Sequence, residues 1–377
     1  MITNIHQLFQ KFDKNNGRLI AKTDIRKLIL TLKQEETEKL KNTELFNDCL
    51  ENCCWSISSR PTSYSSVLSR ISQIDMKLIA DLHYGTLPIP DFVQLPEFTL
   101  DILPCMRNGT VLFVDSTSVA HFLRDIHPQI QVDYILMTGD SDLSMPHYSI
   151  STTLTHDIFH GKTHIRHWFA MNCNKNEWSK YFSCIPQGIS QWANQRYYVQ
   201  MASGKNDSFF NTYLKLNDYW LLTSFNVAMN PQIRQSVWNL TCYGRLKSIS
   251  KCHFEKDMNL WSLYVHIARS KFVISPPGKG LDCHRTWETL YLGSIPIVLS
   301  TTIDSLFQRL PVVIVKNYEQ ITLEFLQKTY ENMFKQKFDY SRLYKQYWQQ
   351  RIDNYRSGNM KNLQIKYHLK AKVTTWI

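Results

Sequence analysis

The sequence lacks the features that define several large classes of protein. It contains no run of about 18 apolar residues, so no segment is predicted to cross a bilayer as a helix. Its first residues, MITNIHQLFQKFDK, lack the apolar core of a secretory signal. No internal repeat and no long low-complexity tract is present. The nine cysteines form no C-x-x-C pair and no zinc spacing with histidine, which argues against a zinc finger. They are scattered over 377 residues, which excludes a small disulfide scaffold.

Apolar and aromatic side chains are abundant enough to form large cores. Hydrophobic residues make up 43% of the chain and aromatic residues 13%, so a disordered chain is excluded. At about 100–200 residues per domain, the length of 377 residues predicts two packed domains with extensions. The composition is that of a soluble, basic, two-domain protein.

The net charge of +11 is concentrated at the C-terminal end. Residues 335–377 contain ten Lys and Arg side chains and two Asp. Apolar and aromatic residues recur there at steps of three and four, which predicts an amphipathic helix with its basic side chains facing solvent. A basic protein can attract nucleic acid, but no RNA- or DNA-binding signature accompanies this charge. No nucleic-acid partner is therefore expected.

The chain divides into four predicted regions. Residues 1–75 read as a helical N-terminal extension that ends in a serine-rich linker. Within it, LFQKFDKNNGRLIAKTDIRKLI resembles half of an EF-hand, but Arg18 occupies the position of the turn glycine, so calcium binding is not expected. Residues 76–228 and 229–338 are predicted to be two Rossmann-like domains. Residues 339–377 are predicted to form a basic amphipathic helix that braces them.

The two predicted domains rest on two series of short apolar runs. Strands separated by helical patterns predict parallel sheets with both faces covered. The first series comprises residues 111–115, 134–139, 167–172, 182–186 and 219–225; the second comprises 271–276, 295–300 and 311–315.

Residues 268–300 contain the motif that best indicates a function. A predicted strand ends at Ser275, a PPGKG loop follows, and a helix is expected from about Asp282. Ligands bind where loops leave the carboxyl ends of parallel strands. Gly278 and Gly280 would let the backbone approach a ligand closely, and the N-terminus of the next helix favours a phosphate. The spacing differs from that of a P-loop.

Charged side chains in and after this loop suit a nucleotide. Lys279 and Arg285 can donate charge-assisted hydrogen bonds to a diphosphate, and Glu288 lies three residues further on the same helix face. A carboxylate there can accept hydrogen bonds from ribose hydroxyls. The alternative is an ordinary loop followed by an exposed helical ion pair.

The string SPPGKGLDCHRTWETLYLGSIPIVLS, followed by LPVVIVKNYEQIT, resembles the donor-binding half of exostosin-like glycosyltransferases. It is similar to their ribitol xylosyltransferase branch, most closely over residues 264–322. The resemblance implies an α/β GT-B fold, in which two Rossmann-like domains face a cleft, here with the helical extension added. Residues 76–228 would then be the acceptor side and 229–338 the sugar-nucleotide side.

The resemblance also implies a reaction and a donor site. A sugar would pass from a nucleotide sugar, most simply a UDP-sugar, to a hydroxyl of a glycan or glycoprotein acceptor, with no required cofactor. Arg285 would contact the diphosphate and Glu288 the ribose. The expected donor-binding set is Arg269, Gly278, Lys279, Gly280, Arg285 and Glu288. A catalytically inactive glycan- or nucleotide-binding protein on the same fold is the alternative.

The catalytic base is less clear from the sequence. Inverting transfer needs a group that takes the acceptor proton. Asp140 and Asp142 follow a predicted strand, and His167 lies within another. Asp140 and Asp142 are equally able to cap a turn, and His167 to be a core histidine. GT-A enzymes also hold Mn²⁺ or Mg²⁺ with an Asp-x-Asp sequence such as Asp140-Ser-Asp142. The resemblance over residues 264–322 nevertheless favours a GT-B fold, which usually needs no metal ion.

The cysteines and the glycosylation sequons are relevant to whether the protein lies in an oxidising lumen or in the cytosol. Cys173 with Cys184, and Cys242 with Cys252, can be disulfides in an oxidising lumen or buried apolar residues in the cytosol. Cys283 lies in the donor loop and is expected to be sensitive to alkylation. Glycosylation sequons begin at Asn108, Asn206 and Asn239. The resemblance implies the Golgi lumen, whereas the missing signal and anchor imply a cytoplasmic or N-terminally incomplete chain.

Overall fold

The computed structural model describes residues 71–85, 97–147, 149–175, 180–190, 219–254 and 259–357. The degenerate EF-hand and nearly all of the predicted N-terminal extension lie outside these ranges, as do residues 358–377. Across the described ranges, no helix combines the length and the apolar character needed to span a membrane.

The chain separates into two compact units. The first contains residues 1–59 and 99–106, of which the described part is a 3₁₀-helix at Leu100–Cys105. All other described residues belong to the second unit, residues 60–98 and 107–377, which contains two β-sheets. Both sheets have five strands and are parallel throughout, so the predicted α/β class with parallel sheets is confirmed.

The first sheet has its strands in the order of the chain. Its apolar runs are almost completely buried, as expected for parallel strands covered on both faces. The elements are α1 (Gln73–Lys77), β1 (Leu82–Tyr84), β2 (Val111–Asp115), α2 (Val119–His121), β3 (Tyr134–Gly139), α3 (Thr152–Phe159), β4 (Ile165–Ala170) and β5 (Phe182–Cys184).

The second sheet has the order β10-β9-β8-β6-β7, so its strand order reverses between β6 and β8. Its elements are β6 (Tyr219–Thr223), α4 (Pro231–Trp238), β7 (Ser250–Cys252), α5 (Leu260–Ala268), β8 (Ser270–Ile274), α6 (His284–Tyr291), β9 (Ile295–Leu299), β10 (Val313–Val315) and α7 (Leu323–Phe334). The order of apolar runs in the sequence groups the strand predicted at 219–225 with the first series. That assignment is wrong, because β6 pairs with β7 and β8.

The C-terminal helix α8 (Lys345–Arg356) covers one face of the first sheet. Side chains alternate between faces along β4: the Trp168 ring lies 6.4 Å from Phe159 of α3, and the His167 ring lies 3.8 Å from Tyr355 of α8. Helices α3 and α8 therefore lie on opposite faces. Strands in sequential order with right-handed connections place all their connecting helices on one face. The C-terminal helix supplies the cover that the other face needs.

Candidate functional site

The reversal of strand order in the second sheet locates the candidate site. In open parallel sheets, ligands bind outside the carboxyl ends of the two strands that flank such a reversal. Here those strands are β6, which continues into Ser224–Asn230, and β8, which continues into Ser275–Cys283. The predicted donor loop therefore lies at this topological switch point.

Arg234, a residue that the sequence analysis did not single out, joins the two loops. Its guanidinium donates hydrogen bonds to the carbonyls of Asn226 (2.8 Å), Pro277 (3.0 Å) and Pro276 (3.1 Å). Arg234 is only 7% exposed and lies on α4. A buried cation held by neutral carbonyls gives the loop a positive potential. No local sequence pattern marks Arg234 as part of this loop, because Pro276 and Pro277 lie about 42 residues further along the chain.

The two glycines of the loop are required by contacts inside the protein. A Cβ atom on Gly278 would lie 3.1 Å from Nη2 of Arg234, and one on Gly280 would lie 2.9 Å from Nδ2 of Asn172. The carbonyl of Gly278 also accepts a hydrogen bond from the Asn230 side chain at 3.0 Å. Close approach of backbone and side chain explains both glycines, and Lys279 between them is exposed.

Arg285 and Glu288 form a buried ion pair at the start of α6. Nε of Arg285 lies 3.3 Å from Oε2 of Glu288, and the side chains are 11% and 5% exposed. Arg285 also donates a hydrogen bond to the carbonyl of Ser224 after β6. The Tyr264 hydroxyl donates to Oε1 of Glu288 at 3.1 Å, and burial beside this carboxylate raises the pKa of Tyr264. The alternative of an exposed helical ion pair is wrong, because both side chains are buried and Arg285 also bonds to the loop after β6.

Arg269 does not belong to this site. It follows α5 and precedes β8, whereas the donor loop follows β8. The five residues of that strand separate the two by about 16 Å. The guanidinium of Arg269 instead lies 5.8 Å from the Tyr219 ring, at the amino end of β6. Its inclusion in the donor-binding set is corrected here.

Asn172 and Asp282 hold the donor loop against the first sheet. Asn172 follows β4 with a left-handed backbone, φ 51°, and its Oδ1 accepts a hydrogen bond from the Asp282 backbone N–H at 2.8 Å. Its Nδ2 donates to the carbonyl of Ser141 after β3 at 3.0 Å. The Asp282 carboxylate accepts the backbone N–H of Gln187, after β5, at 2.7 Å. The carboxyl edges of both sheets therefore meet at this loop.

Asp282 is a buried carboxylate that the sequence analysis used only to mark the start of a helix. It is 3% exposed and accepts a hydrogen bond from Nε1 of Trp287 at 2.8 Å. Burial raises its pKa to about 6, although the hydrogen bonds from Gln187 and Trp287 oppose the shift.

The predicted bases occupy different environments. The Asp140 carboxylate lies 2.6 Å from Nζ of Lys77, and both side chains are almost completely buried, at 4% and 1% exposed. Asp140 also has a left-handed backbone, φ 67°. Asp142 is exposed in the loop that follows. Within the described ranges, no three His, Cys, Asp or Glu residues are arranged to hold a metal ion.

His167 is a core histidine, so its candidacy as a base is wrong. It is 0% exposed, its Nε2 lies 2.9 Å from the Ser183 hydroxyl, and its Nδ1 lies 3.1 Å from the Lys180 carbonyl. Burial and the nearby Arg351 guanidinium lower its pKa to about 3. The ring fills the interface between β4 and α8.

Four of the six cysteines in the described ranges are disulfide-bonded. Disulfides join Cys173 to Cys184 and Cys242 to Cys252. The Cys283 thiol donates a hydrogen bond to the Pro276 carbonyl at 3.3 Å, and burial raises its pKa to about 11. A thiol is far less nucleophilic than a thiolate, so the raised pKa argues against the expectation that Cys283 is sensitive to alkylation.

Comparison with known proteins shows a weak structural likeness and no sequence match. No protein-family model matches the sequence, and no curated protein sequence matches it. The chain is similar to the crystal structure of an α1,3-fucosyltransferase, with a TM-score of 0.41 and 10% identity, over 83% of this chain and 96% of that chain. A likeness of this degree assigns no function.

Proposed function

We propose that this protein is a glycosyltransferase of the GT-B type, related to the exostosin-like enzymes. It transfers a sugar from a nucleotide sugar to a hydroxyl of a glycan or glycoprotein. The observation that carries the proposal is the presence of Arg234 and Arg285 at the switch point between β6 and β8, each bonded to the loop after β6. Arginine is the side chain best suited to bind phosphate oxygens.

The nucleotide diphosphate would lie over the loop Gly278–Asp282. The first N–H groups of α6, Arg285 and the exposed Lys279 supply positive charge to the phosphates there. This charge would also stabilise the leaving diphosphate, so the reaction needs no metal ion.

Glu288 would bind the ribose. Its carboxylate already accepts hydrogen bonds from Arg285 and Tyr264. An ionised carboxylate has about four acceptor sites, so capacity for a ribose hydroxyl remains. The ion pair with Arg285 fixes the orientation in which that hydroxyl is received.

The acceptor would bind beside the carboxyl edge of the first sheet, which the Asn172–Asp282 contact brings to the donor loop. Of the three predicted bases, Asp142 alone is exposed, so it is assigned the role of taking the acceptor proton in an inverting transfer.

A binding protein without turnover is the second candidate function. It is favoured by the engagement of Asp140 with Lys77 and by the burial of His167, which remove two of the three predicted bases. Such a protein would bind nucleotide or glycan, and transfer would be absent.

Two measurements on purified protein separate these candidates. A thermal-shift screen against UDP, GDP and CMP identifies the nucleotide, because a ligand that binds only the folded state raises the melting temperature. Hydrolysis and transfer of the matching nucleotide sugars are then measured for wild type, Glu288→Gln and Glu319→Gln. Glu319 is 68% exposed and pairs with Arg245, so it is the matched control.

The glycosyltransferase proposal predicts activity in wild type and Glu319→Gln, with a large loss in Glu288→Gln. Binding without turnover in wild type and Glu319→Gln supports the second candidate. Equal activity in all three contradicts the assigned site.

A further inference from the structure

Two of the three sequons lie within the described ranges, and both present an exposed asparagine. Asn108 lies in the turn before β2, and Asn239 directly follows α4. The sequon at Asn206 lies outside the described residues. From the geometry at these two positions we propose that the protein carries N-linked glycans at Asn108 and Asn239. This proposal is independent of the proposed function, and either can fail without the other.

The side-chain amides are oriented as a glycan requires. Oδ1 of Asn108 accepts the backbone N–H of Asp133 at 2.9 Å, and Oδ1 of Asn239 accepts a hydrogen bond from Nε2 of Gln235 at 3.0 Å. An N-linked sugar is attached to Nδ2 and leaves Oδ1 free to accept. Among the described residues, neither Nδ2 donates a hydrogen bond, so a glycan displaces no contact of the fold.

The threonines of both sequons are buried, which implies that the glycan is attached before the chain folds. Thr110 is 8% exposed and its hydroxyl donates to the Arg107 carbonyl at 2.8 Å. Thr241 is 0% exposed and its hydroxyl donates to the Val237 carbonyl at 2.8 Å. An enzyme that reads the sequon must reach this hydroxyl. The glycan is therefore attached while the chain is still unfolded, and folding then seals the threonine.

The transfer step uses a lipid-diphosphate-linked oligosaccharide as co-reactant. Nδ2 of the asparagine forms a bond to C1 of the first sugar, and the bond from C1 to the diphosphate oxygen breaks. The lipid diphosphate leaves with the electron pair of that bond, and Nδ2 loses one proton to solvent.

The disulfides point to the same compartment. Cys242–Cys252 and Cys173–Cys184 are both formed, and disulfides persist where the surroundings are oxidising. Sequons are glycosylated in those surroundings. Asn239 lies three residues before Cys242, so one short segment would receive both modifications.

Both glycans would lie away from the candidate site. Asn108 precedes β2 and so lies at the amino edge of the first sheet, opposite the edge that meets the donor loop. Asn230, at the start of α4, contacts the Gly278 carbonyl, and Asn239 at the far end of that helix is about 14 Å away along its axis. Glycans at these positions leave the switch point open.

The test is site mapping on the full chain purified from the cells that make it. The protein is treated with peptide-N-glycosidase F in ¹⁸O water, and its peptides are sequenced by mass spectrometry. The proposal predicts ¹⁸O-labelled aspartate at positions 108 and 239, and none at Asn226, an exposed asparagine outside any sequon. Folded, disulfide-bonded protein with unmodified asparagine at both positions overturns it.

Conservative variants keep the test independent of folding defects. In eukaryotic cells that secrete the full chain behind an added leader, Thr241→Ser preserves the sequon and is expected to keep the glycan at Asn239. Thr241→Val preserves the volume and is expected to lose that glycan while Asn108 stays occupied. Glycan at Asn239 in neither variant or in both overturns the proposal for that site.

Discussion

Oδ1 of Asn172 accepts a hydrogen bond from the backbone N–H of Asp282 at 2.8 Å, across 110 residues of sequence. Asn172 follows β4 of the first sheet, and Asp282 lies in the donor loop of the second. Because Nδ2 of the same asparagine holds the Ser141 carbonyl, one side chain links β3, β4 and the loop. Together with the hydrogen bond from the Gln187 N–H to the Asp282 carboxylate, this link holds the donor loop against the first sheet.

Asn172→Ala is expected to lower the free energy of unfolding by about 2–3 kcal/mol. The variant loses two buried hydrogen bonds, at about 1 kcal/mol each, and keeps a left-handed backbone that alanine disfavours. Asn172→Gly loses the same bonds without backbone strain and is expected to lose less stability. Denaturant unfolding measures both, and a wild-type value for the alanine variant would refute the link.

Arg234→Met is expected to cost about 3 kcal/mol of stability and to abolish nucleotide binding. Three backbone carbonyls lose their charged donor, and the loop loses its buried cation. Arg245→Met removes a 46% exposed arginine that pairs with Glu319 and donates hydrogen bonds to the Glu319 and Ile321 carbonyls, so a smaller change of about 1 kcal/mol is expected. Similar losses of stability and of nucleotide binding in the two variants would show that Arg234 does not hold the loop.

Asp282 makes stability depend on pH. Its pKa is raised from 3.8 to about 6, so between those values the folded protein binds the proton that the unfolded chain releases. The contribution of protonated Asp282 to the free energy of unfolding is fully present below about pH 4 and is lost as the pH rises through about 6. Wild type should therefore lose about 3 kcal/mol more stability than Asp282→Asn between about pH 4 and pH 7. Parallel unfolding profiles in the two proteins would contradict the assignment.

Substitutions of His167 and Asp142 should have different effects, the first on stability and the second on the turnover number. His167→Gln is expected to lower the free energy of unfolding by about 1–3 kcal/mol, because Ser183 and Lys180 lose a buried partner. The turnover number of the folded fraction should stay unchanged. Asp142→Asn should leave stability unchanged and lower the turnover number by about 10²–10⁴-fold. The opposite pattern would return His167 to the role of base.

The sequence was informative where the signal is local. Apolar runs such as 111–115 and 134–139 predicted buried parallel strands, and the Pro-Pro-Gly-Lys-Gly string predicted a loop at the carboxyl end of β8. The sheet to which residues 219–223 belong is decided by long-range pairing, and an apolar run carries no information about its partner.

The environment of a side chain was harder to predict than the position of a strand. Arg269 was grouped with the donor loop because it is near in sequence, but a strand moves the chain to the other edge of the sheet. Arg234 is the reverse case, because it lies 42 residues before Pro276 in the sequence and contacts it in the folded chain. His167 shows that residue type does not reveal burial, since the cover supplied by α8 comes from about 190 residues further along.

The central claim is that a nucleotide diphosphate binds at the switch point between β6 and β8. Isothermal titration of wild type, Arg285→Met and Arg245→Met with UDP, GDP and CMP tests it most directly, once circular dichroism shows each variant folded. The account predicts that wild type and Arg245→Met bind UDP or GDP equally well, and that Arg285→Met binds the same diphosphate at least about tenfold more weakly, as expected for a lost charge-assisted hydrogen bond. Equal affinity in all three proteins, or no binding by wild type, would contradict it.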